Sequence, residues 1–139
     1  MGKKEKVIAL DTNVLTRFFV NDHPQQARQA RHLIEQHSVF VSSTVLLESA
    51  WVLKSVYDRP SAVIVRLLRD FLRLPLVNCQ APEQTMLALE WYGAGMDFAD
   101  ALHLALAFDT VGFATFDKTL IKQAKKMTSI SVVEPAKID

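Results

Sequence analysis

The sequence predicts an α/β fold: a three-layer α/β/α sandwich around a central, mostly parallel sheet of four to five strands. Three observations predict it. Short apolar runs such as Val7-Ile8-Ala9-Leu10 and Val39-Phe40-Val41 alternate with longer segments of helical periodicity. The segments between successive runs are long enough to cross over a sheet, as parallel pairing requires. Acids follow two of the runs closely, at the carboxyl ends of strands, where open α/β sheets place their binding crevices.

The first run, Val7 to Leu10, reads as a short, fully buried strand, with Asp11 directly after it. Thr12 or Asn13 can cap a helix running to about Val20. Asn21-Asp22-His23-Pro24 is a turn, with Pro24 suited to a first helical turn. Gln25 to His37 is a surface helix whose narrow apolar face is Ala27, Ala30, Leu33 and Ile34. After the strand Val39–Val41, Ser42 or Ser43 caps a helix of about Thr44 to Tyr57 that is apolar nearly all round. Asp58-Arg59-Pro60 ends it. Ser61 can cap the next helix, Ala62 to about Leu72, and Pro75 closes that segment.

Leu76-Val77 is a third strand, and Ala81-Pro82-Glu83 opens a helix to about Trp91. Beyond the Gly93-Ala94-Gly95 loop, Asp97 starts a strongly apolar helix to about Phe108. Gly112 to Thr115 is a fourth strand, Lys118 to about Lys126 a basic amphipathic helix, and Ile130 to Val133 a fifth strand. Residues 1–5 and 135–139 read as flexible tails of one domain.

Composition narrows the functional classes. The chain has 139 residues, half of them hydrophobic, enough for a real core and too apolar for disorder. Net charge is +1, which predicts neither a strong nucleic-acid binder nor a membrane-surface protein, while allowing a local basic rim. Cys79 is the only cysteine, so no internal disulfide or cysteine-rich zinc site forms, and a reducing cytoplasm is the expected compartment. No run is long enough for a membrane span, and the charged start lacks the apolar core of a signal peptide.

Five acids stand out. Asp11 and Asp117 follow strands, and either could simply cap the helix after it. Asp97 and Asp100 share one face of an otherwise apolar helix, an arrangement close to a capping box. Glu48 is the one acid in the helix from Thr44 to Tyr57. It lies about 200° around that helix from Leu46, in a row with Thr44, Trp51, Val52 and Ser55 that carries no other charge. A buried partner or a metal is the expected explanation, because an unpaired buried carboxylate is costly. His103 extends the row of Asp97 and Asp100, and is expected to be a satisfied core residue rather than a ligand.

If these acids converge, their mutual repulsion raises their pKa values, and a hard divalent cation relieves it. All-oxygen ligation suits Mg²⁺ or Mn²⁺ rather than zinc. Such an ion commonly acts on phosphate oxygens and activates water.

With Asp11-Thr12-Asn13-Val14-Leu15, Glu48, Asp97-Phe98-Ala99-Asp100-Ala101 and Thr115-Phe116-Asp117-Lys118 in this order, the chain resembles a PIN-domain ribonuclease, and within that group a VapC-type toxin of a toxin–antitoxin pair. Each motif is weak alone; the ordered set covers essentially the whole chain. The resemblance implies that Asp11, Glu48, Asp100 and Asp117 bind the metal, with Asp97 an additional acid nearby. It implies that Thr12, Asn13 and Thr115 orient ligands or water. It further implies a Mg²⁺- or Mn²⁺-dependent endoribonuclease, a homodimer, and inhibition by a small cognate antitoxin. Arg17, Lys118 and Lys122 are candidate contacts to RNA phosphates. The Lys-rich start receives no role. Two other readings stay open: a phosphotransfer or receiver-like domain, which also places acids and a lysine at strand ends, and a PIN-like module that binds RNA or protein without catalysis.

Overall fold

The computed structural model describes residues 6–138, which form five strands and seven α-helices, with a short 3-10 helix near the end. They divide into two compact units, residues 1–82 and residues 83–139.

The first unit runs β1 (Ile8–Ala9), α1 (Thr12–Phe19), α2 (Pro24–Gln36), β2 (Val39–Val41), α3 (Ser43–Ser55), α4 (Ser61–Leu72) and β3 (Val77–Cys79). Its sheet has the order β1-β2-β3 and is parallel throughout, with Ile8 opposite Val39 and Val39 opposite Val77. Each parallel step is bridged by a pair of helices, as parallel neighbours require. β2 is central, and Val39 and Val41 are fully buried. Around them Leu15, Ile34, Leu46, Leu53, Ile64, Leu68 and Phe71 form the core. Phe71 meets Phe18 and Phe19 of α1 with ring centroids 5.8 Å apart in both pairs. The face of α2 buries Ala27, Ala30 and Ile34, as its spacing predicts.

Local signals placed most helix starts. Pro24 opens α2, and His23 Nδ1 accepts from the Gln26 N–H at 3.3 Å. Ser42 caps α3 by accepting from the Val45 N–H. At α4 the expected Ser61 cap is displaced: Pro60 takes the cap position, with no side-chain bond, and Ser61 is the first helical residue. The φ of −69° and ψ of 153° at Pro60 suit a proline ring and the extended cap geometry together.

β1 corrects an expectation. It was predicted to be fully buried, yet Ile8 is 40% exposed and Ala9 is exposed too. β1 is the edge of its sheet, hydrogen-bonded to β2 on one side. An apolar run fixes a strand, but cover depends on what packs beside it.

The second unit runs α5 (Pro82–Gly93, from its second residue), α6 (Phe98–Leu106), β4 (Phe113–Ala114), α7 (Lys118–Met127), β5 (Val132–Val133) and the 3-10 turn Pro135–Lys137. β4 and β5 pair in parallel, with Phe113 opposite Val132, and α7 packs on β5. Tyr92 stacks on Phe98 at 5.0 Å and 17°. Gly95, at φ +113°, makes the turn between α5 and α6 in a region that side chains disfavour. α6 stops at Leu106 rather than Phe108, where Thr110 Oγ1 donates to the freed Ala107 carbonyl at 2.7 Å.

The α/β class and parallel pairing are those expected. The five strands lie as a sheet of three and a sheet of two, where one sheet of four to five was expected. Residues 135–137, expected to be part of a tail, form the 3-10 turn. The other expected tail, residues 1–5, lies outside the described residues, as does residue 139. Among the described residues no helix is long and apolar enough to cross a membrane.

Candidate active site

In the first unit, Asp11 follows β1 and is the N-cap of α1, with φ −87° and ψ 162°. Its Oδ1 accepts from the Thr12 N–H at 2.8 Å. Thr12 is buried, and its Oγ1 donates to Glu48 Oε1 in a short hydrogen bond from α1 to α3. Asp11, Thr12, Asn13 and Glu48 therefore line one cleft of about 340 Å³, together with Arg17 and Tyr57. These four residues of the expected set lie together.

Glu48 departs from expectation in its burial. It is exposed, and so are Thr44, Trp51 and Ser55 of its row. The buried side of α3 is Leu46, Ala50 and Leu53, nearly opposite Glu48 on the helix. A side of α3 free of other charges is nonetheless open to solvent, since Trp51 on that same side is 63% exposed.

Arg17 is less available than its sequence position suggested. Its Nε donates to Gln26 Oε1 at 2.8 Å, and a guanidinium nitrogen stands 3.5 Å from both Asp22 and the Tyr57 hydroxyl. Tyr57 in turn donates to Asp22 at 2.8 Å. Tyr57 was not singled out from sequence. It follows the end of α3, and nothing local reveals that α1 lies against it.

In the second unit, Asp97 is the N-cap of α6, and its carboxylate accepts from the Asp100 N–H at 3.2 Å. Asp117 is the N-cap of α7, accepting from the Leu120 N–H at 3.0 Å. Thr115 Oγ1 accepts from the Asp117 N–H at 3.0 Å, so the expected hydroxyl does hold the backbone at that acid. Lys118 and Lys122 are exposed at the start and middle of α7.

His103 is exposed, against the expectation of a core residue. α6 buries Phe98, Ala101, Leu102, Leu104 and Ala105, an arc of roughly 160° at 100° per residue. His103 falls at the middle of the opposite side. Asp100 falls at the rim of the arc and is partly buried. Burial raises the Asp100 carboxyl above its ordinary value, the charges of Asp97 and then Asp117 raise it further, and His103 opposes them. The Tyr92 hydroxyl is also raised, chiefly by burial and then by Asp97. Asp97, Asp100 and Asp117 thus share one electrostatic neighbourhood, and none is in an ion pair among the described residues.

That raised carboxyl has a consequence for stability. The folded chain binds the Asp100 proton more tightly than the unfolded chain does. Stability therefore falls as pH rises from the ordinary aspartate value through the raised one, and the deficit persists above it. Asp100→Asn should raise the Tm of metal-free protein at pH 7 by about 1–3 °C, a small gain because the group is partly solvated. At pH 3 the gain should vanish. A lower Tm at pH 7, measured by calorimetry, would show instead that the carboxylate makes a structural bond.

Among the described residues no three His, Cys, Asp or Glu side chains group closely enough to hold a metal ion by themselves. A site for Mg²⁺ does not need that many: this ion commonly takes one or two carboxylates, keeps several waters, and completes its shell with substrate phosphate. The donors present are carboxylate and hydroxyl oxygens, which fit a hard cation and not zinc.

A family model for the PIN domain matches residues 8–126 of the chain. No curated protein matches it.

Proposed function

Because the chain belongs to the PIN domain family, whose members are generally nucleases, we propose that it is a metal-dependent endoribonuclease and the toxin of a toxin–antitoxin pair. The observation that supports this most is the cleft lined by both Asp11 and Glu48, bridged by the Thr12 hydroxyl; Asp97 and Asp117, which raise the Asp100 carboxyl, add acids with no ion-pair partner among the described residues. Repulsion between carboxylates is relieved by a bound cation.

Asp11, Glu48, Asp100 and Asp117 are proposed as the carboxylates on which metal binding depends. A bound Mg²⁺ or Mn²⁺ ion would neutralise phosphate charge and acidify a water for attack on phosphorus. The chain's own contributions are positional. Thr12 fixes Glu48 by its hydroxyl bond, and Asn13 lines the same cleft. Thr115 holds the backbone at Asp117, and Asp97 adds negative charge beside Asp100. A small antitoxin covering the acids, a homodimeric state and a cytoplasmic location complete the proposal.

The test is direct. Purified protein, freed of any partner, is incubated with single-stranded RNA and Mg²⁺ or Mn²⁺. Internal cleavage leaving 5′-phosphate ends, stopped by chelation, is the expected result. No cleavage with either ion would end the nuclease reading, and phosphate transfer to Asp11 from acetyl phosphate would replace it with phosphotransfer.

A further inference from the structure

A cleft of about 590 Å³ opens in the second unit between α7, β5 and the 3-10 turn, lined by Lys118, Ile121, Lys125, Val132, Glu134 and Lys137 among others. Its three lysines are exposed, and among the described residues none of their side chains is in an ion pair or hydrogen bond. Among the described residues Glu134 is the one acid on its walls. Helix geometry explains which lysines of α7 enter it. Lys118, Ile121 and Lys125 lie within about 60° of one another, while Lys122 turns about 40° to the other side of Lys118.

Lys118 and Lys125 are separated by seven residues, a rise of about 10 Å along α7. A chain of repeating phosphates can meet charges so spaced; a single compact anion cannot. The position of the cleft also bears on its occupant. Lys118 directly follows Asp117, so a strand with a phosphate at that acid has an uncompensated basic track to enter. The half-exposed apolar part of the wall, Ile121, Ile130 and Val133, offers a surface for ribose and base faces, which a polyanion without rings would not use.

We infer that this cleft binds the phosphodiester backbone of single-stranded RNA, with Lys118, Lys125 and Lys137 as its phosphate contacts. The inference rests on the reading of RNA as substrate, and it assigns Lys125 and Lys137 in place of Lys122.

The test uses the full chain, chelator in place of metal so that nothing is cut, and a fluorescent single-stranded RNA 12-mer, with anisotropy read at several salt concentrations. Each phosphate contact adds about 0.7 to the slope of log affinity against log salt for single strands. The doubly substituted K125Q/K137Q chain should therefore lose about 1.4 from that slope and bind at least about tenfold more weakly at 50 mM salt. Lys122→Gln and Lys54→Gln should each change the slope by less than half of one contact. Circular dichroism checks that all variants fold, as substitutions of exposed lysines should.

An unchanged slope in K125Q/K137Q overturns the inference, as does an equal loss in Lys122→Gln. So does a wild-type chain that fails to bind the RNA at low salt. Competition by a polyglutamate peptide as strong as that by unlabelled RNA also overturns it and makes the cleft a site for acidic protein. Failure of the nuclease reading looks different: RNA binds with the expected slopes, but no metal supports cleavage.

Discussion

Asp11→Asn and Asp117→Asn should each abolish metal-dependent RNA cleavage, lowering kcat/KM by at least about 10²-fold, while Tm moves by no more than about 2 °C. The separation is possible because of what these residues do locally. Both are N-caps, and each accepts a backbone N–H through a side-chain oxygen. Asparagine caps as well as aspartate, so the amide keeps that bond and removes only the charge. The loss in rate should be large because groups that merely support a metal ligand cost about 10–100-fold when removed, and a ligand costs more. Alanine at the same positions should behave differently, adding a stability loss of about 1 kcal/mol for the missing cap. Single-turnover cleavage assays paired with thermal unfolding decide the matter. Full activity in both asparagine variants would reduce Asp11 and Asp117 to structural caps and remove them from the site.

Phe71→Ala should cost about 3–5 kcal/mol of folding stability, the range for a buried aromatic replaced by a methyl group. Phe71 is 1% exposed. It joins α4 to α1 through edge-on and tilted contacts with Phe19 and Phe18. Such pairs add to the transfer term, and the void left is too well enclosed to collapse easily. The expected drop in Tm is about 10 °C or more, and the denaturant midpoint should fall with the slope unchanged. Because α1 also carries Thr12 and Arg17, cleavage by Phe71→Ala should be lost at lower temperature than in the wild type. A stability change below about 1 kcal/mol would mean that this aromatic cluster is not part of the core.

The sequence was most reliable where the deciding physics is local. Pro24, Ser42, Asp97 and Asp117 mark helix starts because a cap needs only the amides of the next three residues. The same locality made Asp11 ambiguous: its capping role is real, and capping does not preclude chemistry. Helical spacing also gave the buried face of α2. Where cover was at issue, the same reading failed. Glu48 and His103 sit on well-placed helices, yet both are exposed, because periodicity says which residues share a face and not what lies over it.

By itself, then, the sequence determined the α/β class, the order of the acids and the helices that present them, all set by interactions within a few residues. Only the tertiary structure decided the rest: the bond from Thr12 to Glu48 across 36 positions, the exposed edge strand β1, the engagement of Arg17 by Asp22 and Tyr57, and the lining of one cleft by Lys118, Lys125 and Lys137. Each of these depends on which elements pack side by side, and that is fixed by burial summed over many residues rather than by any one segment.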